Sequence, residues 1–173
     1  MRASPASATL ETARLILRPP RPRDVAALFA ILGNRRAMRH TIPQRTLVAC
    51  GVYARTHEKQ RRRVGYAPWV IITRRDARII GWGGLYDDPF DPGWGVELAY
   101  FLARPAWGHG YASELAAACV AFADSRRRPA QVRAFVMPRN RASRNVLEKA
   151  GFVATRYVPA MRRLLLSRRC GAA

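Results

Sequence analysis

Two glycines, Gly108 and Gly110, stand where the sequence changes from an apolar strand to an amphipathic helix. Apolar alternation predicts the strand over 95–102, and apolar residues at helical spacing predict the helix over 115–122. The first backbone amides of a helix have no partners inside it, and they lie at the positive end of its dipole. The amides of residues 108–112 are therefore predicted to form an anion-binding cradle, which a phosphate would fit.

Glu97 is an acidic residue within the otherwise apolar strand that precedes this cradle. Burying a carboxylate is costly, so Glu97 is expected either to line a wet cleft or to be paired. In a cleft, burial would raise its pKa toward neutrality, which suits a general base. An equally simple alternative is an ion pair between Glu97 and one of the many arginines. His40 and His57 have no partner evident in the sequence and are not predicted to be catalytic.

Length and composition indicate one globular domain that covers residues 1–173. No run approaches the ~18 apolar residues of a membrane-spanning helix. The N-terminus lacks the apolar core of a signal peptide, so a cytoplasmic location is expected. The three cysteines are scattered, without a CxxC pair, so neither a disulfide framework nor a metal site is indicated.

The formal net charge of +20 is the most unusual property of the composition. All but two of the 31 basic residues are arginines, which suggests a GC-rich coding bias as much as selection for a basic surface. The positive electrostatic field of such a surface would attract anions, including phosphate-bearing cofactors and RNA. Charge alone does not choose between these partners.

The remaining elements are predicted from periodicity and from breaker residues. The predicted strands cover 11–18, 67–73, 77–85, 95–102, 131–137, 152–158 and 161–167, and the predicted helices cover 22–32, 46–63, the stretch from the cradle to the arginines at 126–128, and 143–150. This order suggests an α/β layer with a mostly antiparallel sheet and one parallel crossing at the central helix.

The segment around the cradle, Trp107-Gly108-His109-Gly110-Tyr111-Ala112 followed by Glu114, resembles the acetyl-CoA-binding motif of the GNAT N-acetyltransferase superfamily. Within this superfamily, the motif resembles the version found in the RimJ and RimL ribosomal-protein N-terminal acetyltransferases. Four further segments resemble the same branch: TARLILRP at the start, Ile80-Gly81, Glu97-Leu98-Ala99-Tyr100, and Asn140-Arg141-Ala142-Ser143 followed by Leu147-Glu148-Lys149-Ala150-Gly151-Phe152. The chain departs from the family motif at two positions. Trp107 stands where many members have Arg or Gln, and Arg104 stands where most members have a proline just before the loop.

The resemblance implies a GNAT fold, which is a mixed, mostly antiparallel sheet flanked by helices with a V-shaped splay between the fourth and fifth predicted strands. It also implies that acetyl-CoA is a co-substrate. The residues expected to bind it are Phe101, Leu102, Trp107, Gly108, His109, Gly110, Tyr111, Ala112, Asn140 and Ser143. Within this set, residues 108–112 would hold the pyrophosphate, and a backbone amide at Phe101 or Leu102 would stabilise the reacting carbonyl oxygen.

Two residues are expected to take part in proton transfer. Glu97 is the candidate base, and Ser143 is a candidate proton donor to the leaving thiolate. The plainer alternative for Asn140 and Ser143 is that they cap a short helix.

The resemblance therefore predicts an N-acetyltransferase in which a primary amine attacks acetyl-CoA directly in a ternary complex. The acceptor amine is left open between a protein N-terminus and a small molecule. The alternative function, from a different class, is a catalytically silent GNAT-fold protein that binds RNA or the ribosome through its basic surface. The sequence shows no aromatic residues interleaved with the arginines, which disfavours nucleic acid as the main partner.

Overall fold

The computed structural model of the chain describes residues 9–125 and 129–171. Within them, eight strands form one sheet and four α-helices cover parts of its two faces. The strands are β1 (Leu10–Glu11), β2 (Leu15–Arg18), β3 (Trp69–Thr73), β4 (Ile79–Asp87), β5 (Val96–Leu102), β6 (Gln131–Val136), β7 (Val153–Val158) and β8 (Arg163–Arg169), and the helices are α1 (Val25–Leu32), α2 (Leu47–Val64), α3 (Tyr111–Ser125) and α4 (Arg141–Lys149). The arginine run predicted to end the central helix, at 126–128, lies outside the described residues.

The strand order is β1-β2-β3-β4-β5-β6-β8-β7. Neighbouring strands are antiparallel except for β5 and β6, which pair in parallel across the α3 connection. The predicted α/β class, with a mostly antiparallel sheet and one parallel crossing, is therefore confirmed.

The N-terminal strand differs from the prediction, because residues 11–18 do not form one continuous strand. Thr12 donates its amide N–H to the carbonyl oxygen of Leu15 at 2.9 Å, and its hydroxyl accepts from the Leu15 amide at 3.0 Å. These two bonds close a tight turn and fold the segment into the β1–β2 hairpin. The alternating pattern is the same in a strand and in a short hairpin, so the sequence pattern alone did not show the turn.

The two faces of the sheet bury separate apolar clusters. Side chains of β5 alternate between them: Leu98 packs toward α3 and α4, whereas Phe101 packs toward α1 and α2. The first cluster includes Leu15, Trp69, Ile71, Val132, Leu115, Cys119 and Leu147, and the second includes Leu28, Leu32, Cys50, Val70 and Trp82. Each side chain of β5 can therefore be assigned to one face.

Glycines in β4 let β5 approach closely. A Cβ on Gly83 would lie 2.7 Å from the carbonyl oxygen of Ala99 and 2.7 Å from the Cα of Tyr100, which is closer than side-chain carbons are found. β4 and β5 pair without a register shift from Gly81 opposite Leu102 to Asp87 opposite Val96. The position of β5 is thus fixed along its whole length from the β4 side.

On its other side, β5 separates from its neighbour. Among the described residues, β5 and β6 pair at one position, Glu97 opposite Arg133. Beyond it, no further pairing in the described chain joins β5 and β6, whereas β6 is paired with β8 on its other side along its whole length. This gap is the V-shaped splay predicted between the fourth and fifth strands, and it is confirmed. Within the described chain, no helix combines the length and apolarity needed to cross a membrane.

Candidate active site

The predicted cradle forms at the mouth of the gap between β5 and β6. Gly108 and Gly110 both have φ of +78°, in the left-handed region that glycine adopts without strain. The first backbone hydrogen bond of α3 runs from the Glu114 amide to the carbonyl oxygen of Gly110 at 3.1 Å. Within residues 9–125 and 129–171, none of the amides of residues 108–113 donates to an acceptor. The turn therefore presents a row of free N–H donors at a helix N-terminus.

Space for a ligand is available at this turn. A Cβ added to Gly108 would meet no heavy atom within 4 Å. The His109 ring is exposed and stacks on Tyr111, with ring centroids 5.8 Å apart. Its Nδ1 donates to the carbonyl oxygen of Trp107 at 2.8 Å, since a carbonyl oxygen can only accept. His109 is thus held against the helix start.

Arg14 braces the cradle from the β1–β2 hairpin. Its Nε donates to the Glu114 carboxylate at 2.7 Å, and its Nη1 donates to the carbonyl oxygen of His109 at 2.8 Å. Its guanidinium carbon lies 4.9 Å from the Tyr111 ring centroid. The third nitrogen, Nη2, makes no hydrogen bond to the described residues and is the nearest atom to a Cβ built on Gly110, at 3.3 Å. Arg14 therefore adds a free cationic donor to the amides.

Glu114 keeps Arg14 in place. Its carboxylate also accepts from the Thr12 hydroxyl and from the Arg14 amide. Burial alone would raise the pKa of Glu114, but these hydrogen bonds and the Arg14 charge lower it below its ordinary value. The carboxylate is thus charged and neutralised by Arg14. The sequence-based prediction missed this brace, although Arg14 lies in the opening segment that resembles the family.

Trp107 connects the cradle to the end of β5. Its indole N–H donates to the carbonyl oxygen of Leu102 at 2.9 Å. The guanidinium of Arg39, from the loop between α1 and α2, lies 5.0 Å from the ring centroid, and that of Arg104 lies 6.0 Å from it. The indole is therefore fixed between the strand end and two cations.

The backbone of β5 presents one of its two predicted amides to the gap. Ala103 donates its N–H to the carbonyl oxygen of Ile80 at 2.8 Å, so the backbone groups of Ala103 face β4. Successive residues of a strand direct these groups to opposite sides, so the Phe101 amide also faces β4 and the Leu102 amide faces the gap. Of the two predicted amides, the Leu102 N–H is therefore the one directed toward the gap, and the Phe101 N–H is directed toward β4.

Glu97 is buried on the α2 face of β5, with 7% of its surface exposed. The Tyr86 hydroxyl donates to its Oε2 at 3.5 Å. No described residue forms an ion pair with it, so the alternative of an arginine partner is not observed. Burial raises the pKa of Glu97 to about 7, and the nearby charges of Asp88 and Asp91 contribute in the same direction. The carboxyl group is therefore close to half-ionised at neutral pH.

Aromatic side chains surround Glu97 on this face. His57 on α2 is fully buried, with its ring centroid 4.6 Å from that of Tyr53 and 5.4 Å from that of Tyr86. Neither ring nitrogen of His57 has a hydrogen-bond partner in the described chain. Burial, with a smaller contribution from the Arg61 charge, lowers the pKa of His57 to about 4. His57 is thus neutral at pH 7 and acts as part of the packing.

Ser143 lies on the opposite face, where it pairs with Tyr100. Its Oγ is 2.9 Å from the Tyr100 hydroxyl, which also donates to the Ser143 carbonyl oxygen at 3.3 Å. Burial raises the pKa of Tyr100 to about 12, so the phenol keeps its proton. The Asn140 side-chain oxygen accepts from the Ser143 amide at 3.3 Å, which is the capping bond of α4. The cap uses the oxygen of Asn140 and leaves its NH₂ group available.

The structure therefore groups the predicted residues around the gap but on two sides of it. Glu97 projects toward α2, whereas Tyr100 and Ser143 meet on the face of α3 and α4. The Leu102 amide and the cradle lie along the edge between these faces.

The sheet order, the splayed strands and the glycine turn before α3 define the GNAT fold. The chain belongs to the GNAT acetyltransferase family, because the family's acetyltransferase (GNAT) domain matches residues 14–153. The chain is 29% identical over 147 residues to the uncharacterised protein YkkB of Bacillus subtilis, a match that covers 84% of this chain and 86% of YkkB.

Solved structures agree with this assignment. An acetyltransferase from Agrobacterium tumefaciens has a TM-score of 0.81 and 25% identity to this chain, with 94% of both chains covered. RimJ of Mycobacterium smegmatis, solved in complex with CoA-disulfide, has a TM-score of 0.73 and 20% identity, with 94% of this chain and 86% of RimJ covered. Identity at this level shows a shared fold alone. The family is confirmed by the domain match over residues 14–153, and the RimJ and RimL branch stays a prediction.

Proposed function

We propose that this protein is an acetyl-CoA-dependent N-acetyltransferase that moves an acetyl group to a primary amine by direct attack in a ternary complex. The observation that carries the proposal is the row of free amides at residues 108–113, which opens onto the gap between β5 and β6. GNAT acetyltransferases use acetyl-CoA, and the features of this turn fit a pyrophosphate: free donors, open space at Gly108 and the free Nη2 of Arg14. Charge-assisted bonds of this kind contribute about 1.5–3 kcal/mol each.

The remaining contacts to the co-substrate follow from the strand edge. Residues 108–112 hold the pyrophosphate, and Trp107 fixes the turn against β5. The NH₂ group of Asn140 binds the pantetheine arm. The Leu102 N–H donates to the carbonyl oxygen of the thioester, where negative charge develops as the amine attacks.

Proton transfer is divided between the two faces. The amine nitrogen forms a bond to the acetyl carbon, the carbon–sulfur bond breaks, and Glu97 or a water molecule takes the proton that the amine loses. The Ser143 hydroxyl, paired with Tyr100, gives a proton to the departing sulfur. At pH 7 about one-seventh of an α-amine with a pKa near 7.8 is neutral, compared with roughly 1 in 2,500 of a lysine amine with a pKa near 10.4. A base as weak as Glu97 therefore suits an amine of low pKa.

We further propose that residues 1–173 form one domain that acts in the cytoplasm. The acceptor is a protein N-terminus, as for the RimJ and RimL enzymes that the sequence resembles, or a small amine. Incubation with acetyl-CoA and candidate acceptors, followed by mass spectrometry of the products, distinguishes these two.

Thermal unfolding with and without acetyl-CoA tests the co-substrate directly. At 100 times its Kd, a ligand adds about 2.7 kcal/mol to the free energy of unfolding. For a domain of this size we expect the melting temperature to rise by roughly 5–10 °C. Gly108→Ala should reduce this rise. Gly171→Ala is the matched control, since Gly171 has φ of +73° and equal space but lies outside the cradle. No rise at millimolar acetyl-CoA would contradict the proposal.

A second candidate function, binding of RNA through the basic surface, is favoured by one group of contacts. The guanidinium of Arg156 lies 5.7 Å from the Trp94 ring centroid, and Trp94 meets Phe135 edge to face with centroids 5.1 Å apart. The fold thus brings arginine and aromatic residues together where the sequence separates them. A gel shift with ribosomal RNA that weakens with salt, without acetyl-CoA binding, would support this second function.

A further inference from the structure

Three arginines from distant parts of the chain meet at His40, which lies in the loop between α1 and α2. They are Arg39 in the same loop, Arg139 between β6 and α4, and Arg163 at the start of β8. Arg39 donates its Nε–H to His40 Nε2 at 3.1 Å, and Arg163 donates from Nη2 to the His40 carbonyl oxygen at 3.4 Å. Burial lowers the pKa of His40, and the charges of the three arginines lower it further. All three guanidiniums are therefore within electrostatic range of one imidazole.

The protein does not neutralise these three cations. Within residues 9–125 and 129–171, six other arginines form ion pairs with carboxylates, whereas Arg39, Arg139 and Arg163 form none. The charged groups that shift the pKa of His40 are all positive, and no acidic residue is among them. The cluster therefore carries an unbalanced positive charge.

The proton of neutral His40 also lacks an acceptor. Because Nε2 accepts from Arg39, the proton of the neutral imidazole is on Nδ1. Nδ1 is buried and has no hydrogen-bond partner among the described residues. Folded proteins rarely keep a buried donor without an acceptor, because leaving it unpaired is costly. The unpaired groups of the cluster are thus donors and positive charges alone, which suits a ligand with negatively charged oxygens.

The cluster lies at the open end of the gap between β5 and β6, near the candidate base. Arg163 begins β8 just past the last pair between β6 and β8. At the end of β5, the Arg39 guanidinium carbon lies 5.0 Å from the Trp107 ring centroid. Burial raises the pKa of Glu97, and the Arg163 charge opposes this rise. An anion bound to Arg163 would therefore act on the base through its charge, without touching it.

This cluster differs from the cradle before α3. The cradle has its own cation, Arg14, which comes from the β1–β2 hairpin and donates to the His109 carbonyl oxygen. The cluster is instead built from the α1–α2 loop, the β6–α4 loop and β8. The bond between Arg163 and His40 holds two of its members in place, whereas solvated surface arginines extend freely into water. The chain thus has a second place that fits an anion.

We propose that Arg39, Arg139 and Arg163 form a second anion site, which binds one oxyanion group, a phosphate or a carboxylate, at the open end of the gap. A guanidinium presents parallel N–H groups that match two oxygens of such a group. The site goes beyond the proposed function, because its ligand is not the acetyl carrier held in the cradle. The oxyanion is either a free ion or a group that the acceptor carries.

Calorimetric titration of inorganic phosphate into the full chain tests the site. Coenzyme A at saturation blocks the cradle, and sodium chloride keeps the ionic strength constant. Arg139→Gln and Arg163→Gln each remove a charge-assisted bond, so each should weaken phosphate binding about 10-fold. Arg36→Gln is the matched control, since Arg36 is an exposed arginine of the loop that bears Arg39 and forms no ion pair in the described chain. It should change the affinity less than about 2-fold.

Two results of this titration would overturn the proposal. One is the absence of phosphate binding once coenzyme A fills the cradle. The other is an equal loss of affinity in Arg36→Gln, which would show attraction to the net charge of +20 rather than to a site. Arg139 is exposed, so Arg139→Gln should keep the melting temperature of the parent protein. Weaker binding by this variant is then not an effect of unfolding.

Histidine NMR gives a readout at the cluster itself. A bound oxyanion opposes the charges of the three arginines, so saturating phosphate should raise the pKa of His40. At the same phosphate concentration, the rise should be smaller in Arg139→Gln, and His40→Gln identifies the resonance. Phosphate binding that leaves the pKa of His40 unchanged would place the ion elsewhere and overturn the proposal.

Two amines of equal length distinguish the sources of the oxyanion. 4-Aminobutanoate carries a carboxylate, and 4-aminobutanamide carries an uncharged amide in its place. Tighter binding of 4-aminobutanoate, with the preference reduced by phosphate, would support the site and assign the oxyanion to the acceptor. Equal binding of both amines, with phosphate binding retained, would support the site and assign it to a free ion.

The outcomes also separate this inference from the proposed function. If coenzyme A binds but phosphate then does not, the second anion site is wrong and the acetyltransferase proposal stands. If coenzyme A does not bind, the proposed function fails. The site is then still supported by phosphate binding that weakens in Arg139→Gln and not in Arg36→Gln, and refuted by equal binding in all three proteins.

Discussion

Replacing Glu97 by Gln should stabilise the protein at alkaline pH while it slows acetyl transfer. Burial raises the pKa of Glu97 from 4.5 to about 7, so the native state favours the protonated form. The unfolded state loses this proton near pH 4.5, and native stability therefore falls as the pH rises from there to about 7. The shift corresponds to about 3 kcal/mol of native stability that is present below pH 4.5 and lost above pH 7.

Glutamine has the shape of the protonated carboxyl group and does not ionise, so the variant avoids this loss. Relative to the parent protein, Glu97→Gln should gain about 3 kcal/mol between pH 4.5 and pH 8. For a domain of 173 residues this is a relative rise in melting temperature of roughly 6–12 °C. Urea unfolding at both pH values measures the free energy directly. Glu148→Gln, the same change on an exposed residue of α4, should show no such difference.

The rate should change in the opposite sense. In the parent protein, the turnover rate should rise with pH to half of its limit near pH 7, as Glu97 loses its proton. The Gln variant should turn over more slowly without this rise, and its affinity for acetyl-CoA should be unchanged. If Glu97→Gln is no more stable than the parent protein at pH 8, the conclusion that Glu97 is a buried, unpaired carboxylate is refuted. A variant with an unchanged rate profile would refute the role of Glu97 as the base.

Four further substitutions test the other contacts of the site. Gly108→Ala forces an alanine to φ of +78°, so we expect about 1 kcal/mol lower stability in urea unfolding and weaker acetyl-CoA binding by calorimetry. Ser143→Ala should lower the turnover rate about 10-fold with little change in KM. Tyr100→Phe should lower the turnover rate less, because the serine hydroxyl remains. Equal turnover rates for the parent protein and these two variants in a thiol-release assay would exclude the Ser143–Tyr100 pair as the proton donor. Trp107→Phe removes the indole N–H bonded to the Leu102 carbonyl oxygen, and it should raise the KM for acetyl-CoA several-fold.

The sequence predicted the strand, the turn and the start of α3 because these features depend on local pattern. The positions of Gly108 and Gly110 are readable from the change of periodicity, and both adopt the left-handed conformation. The burial of Glu97 is also readable, since one acid within an apolar strand has few alternatives. Whether an arginine pairs with it depends on which distant segments meet the strand, and local pattern does not contain that information.

The contacts that the sequence did not predict join residues far apart in the chain. Arg14 and Glu114 are 100 positions apart, and Tyr100 and Ser143 are 43 apart. The choice between the Phe101 and Leu102 amides likewise depends on how β5 pairs with β4. A one-residue shift in that register would exchange the two amides.

The Arg14 brace makes the N-terminal segment of the chain a structural support of the glycine turn before α3. A deletion that removes the first 14 residues, or a rigid fusion placed immediately before them, would leave the glycine turn intact in sequence but without its lateral support. Engineered versions of this domain should therefore carry purification tags at the C-terminal end.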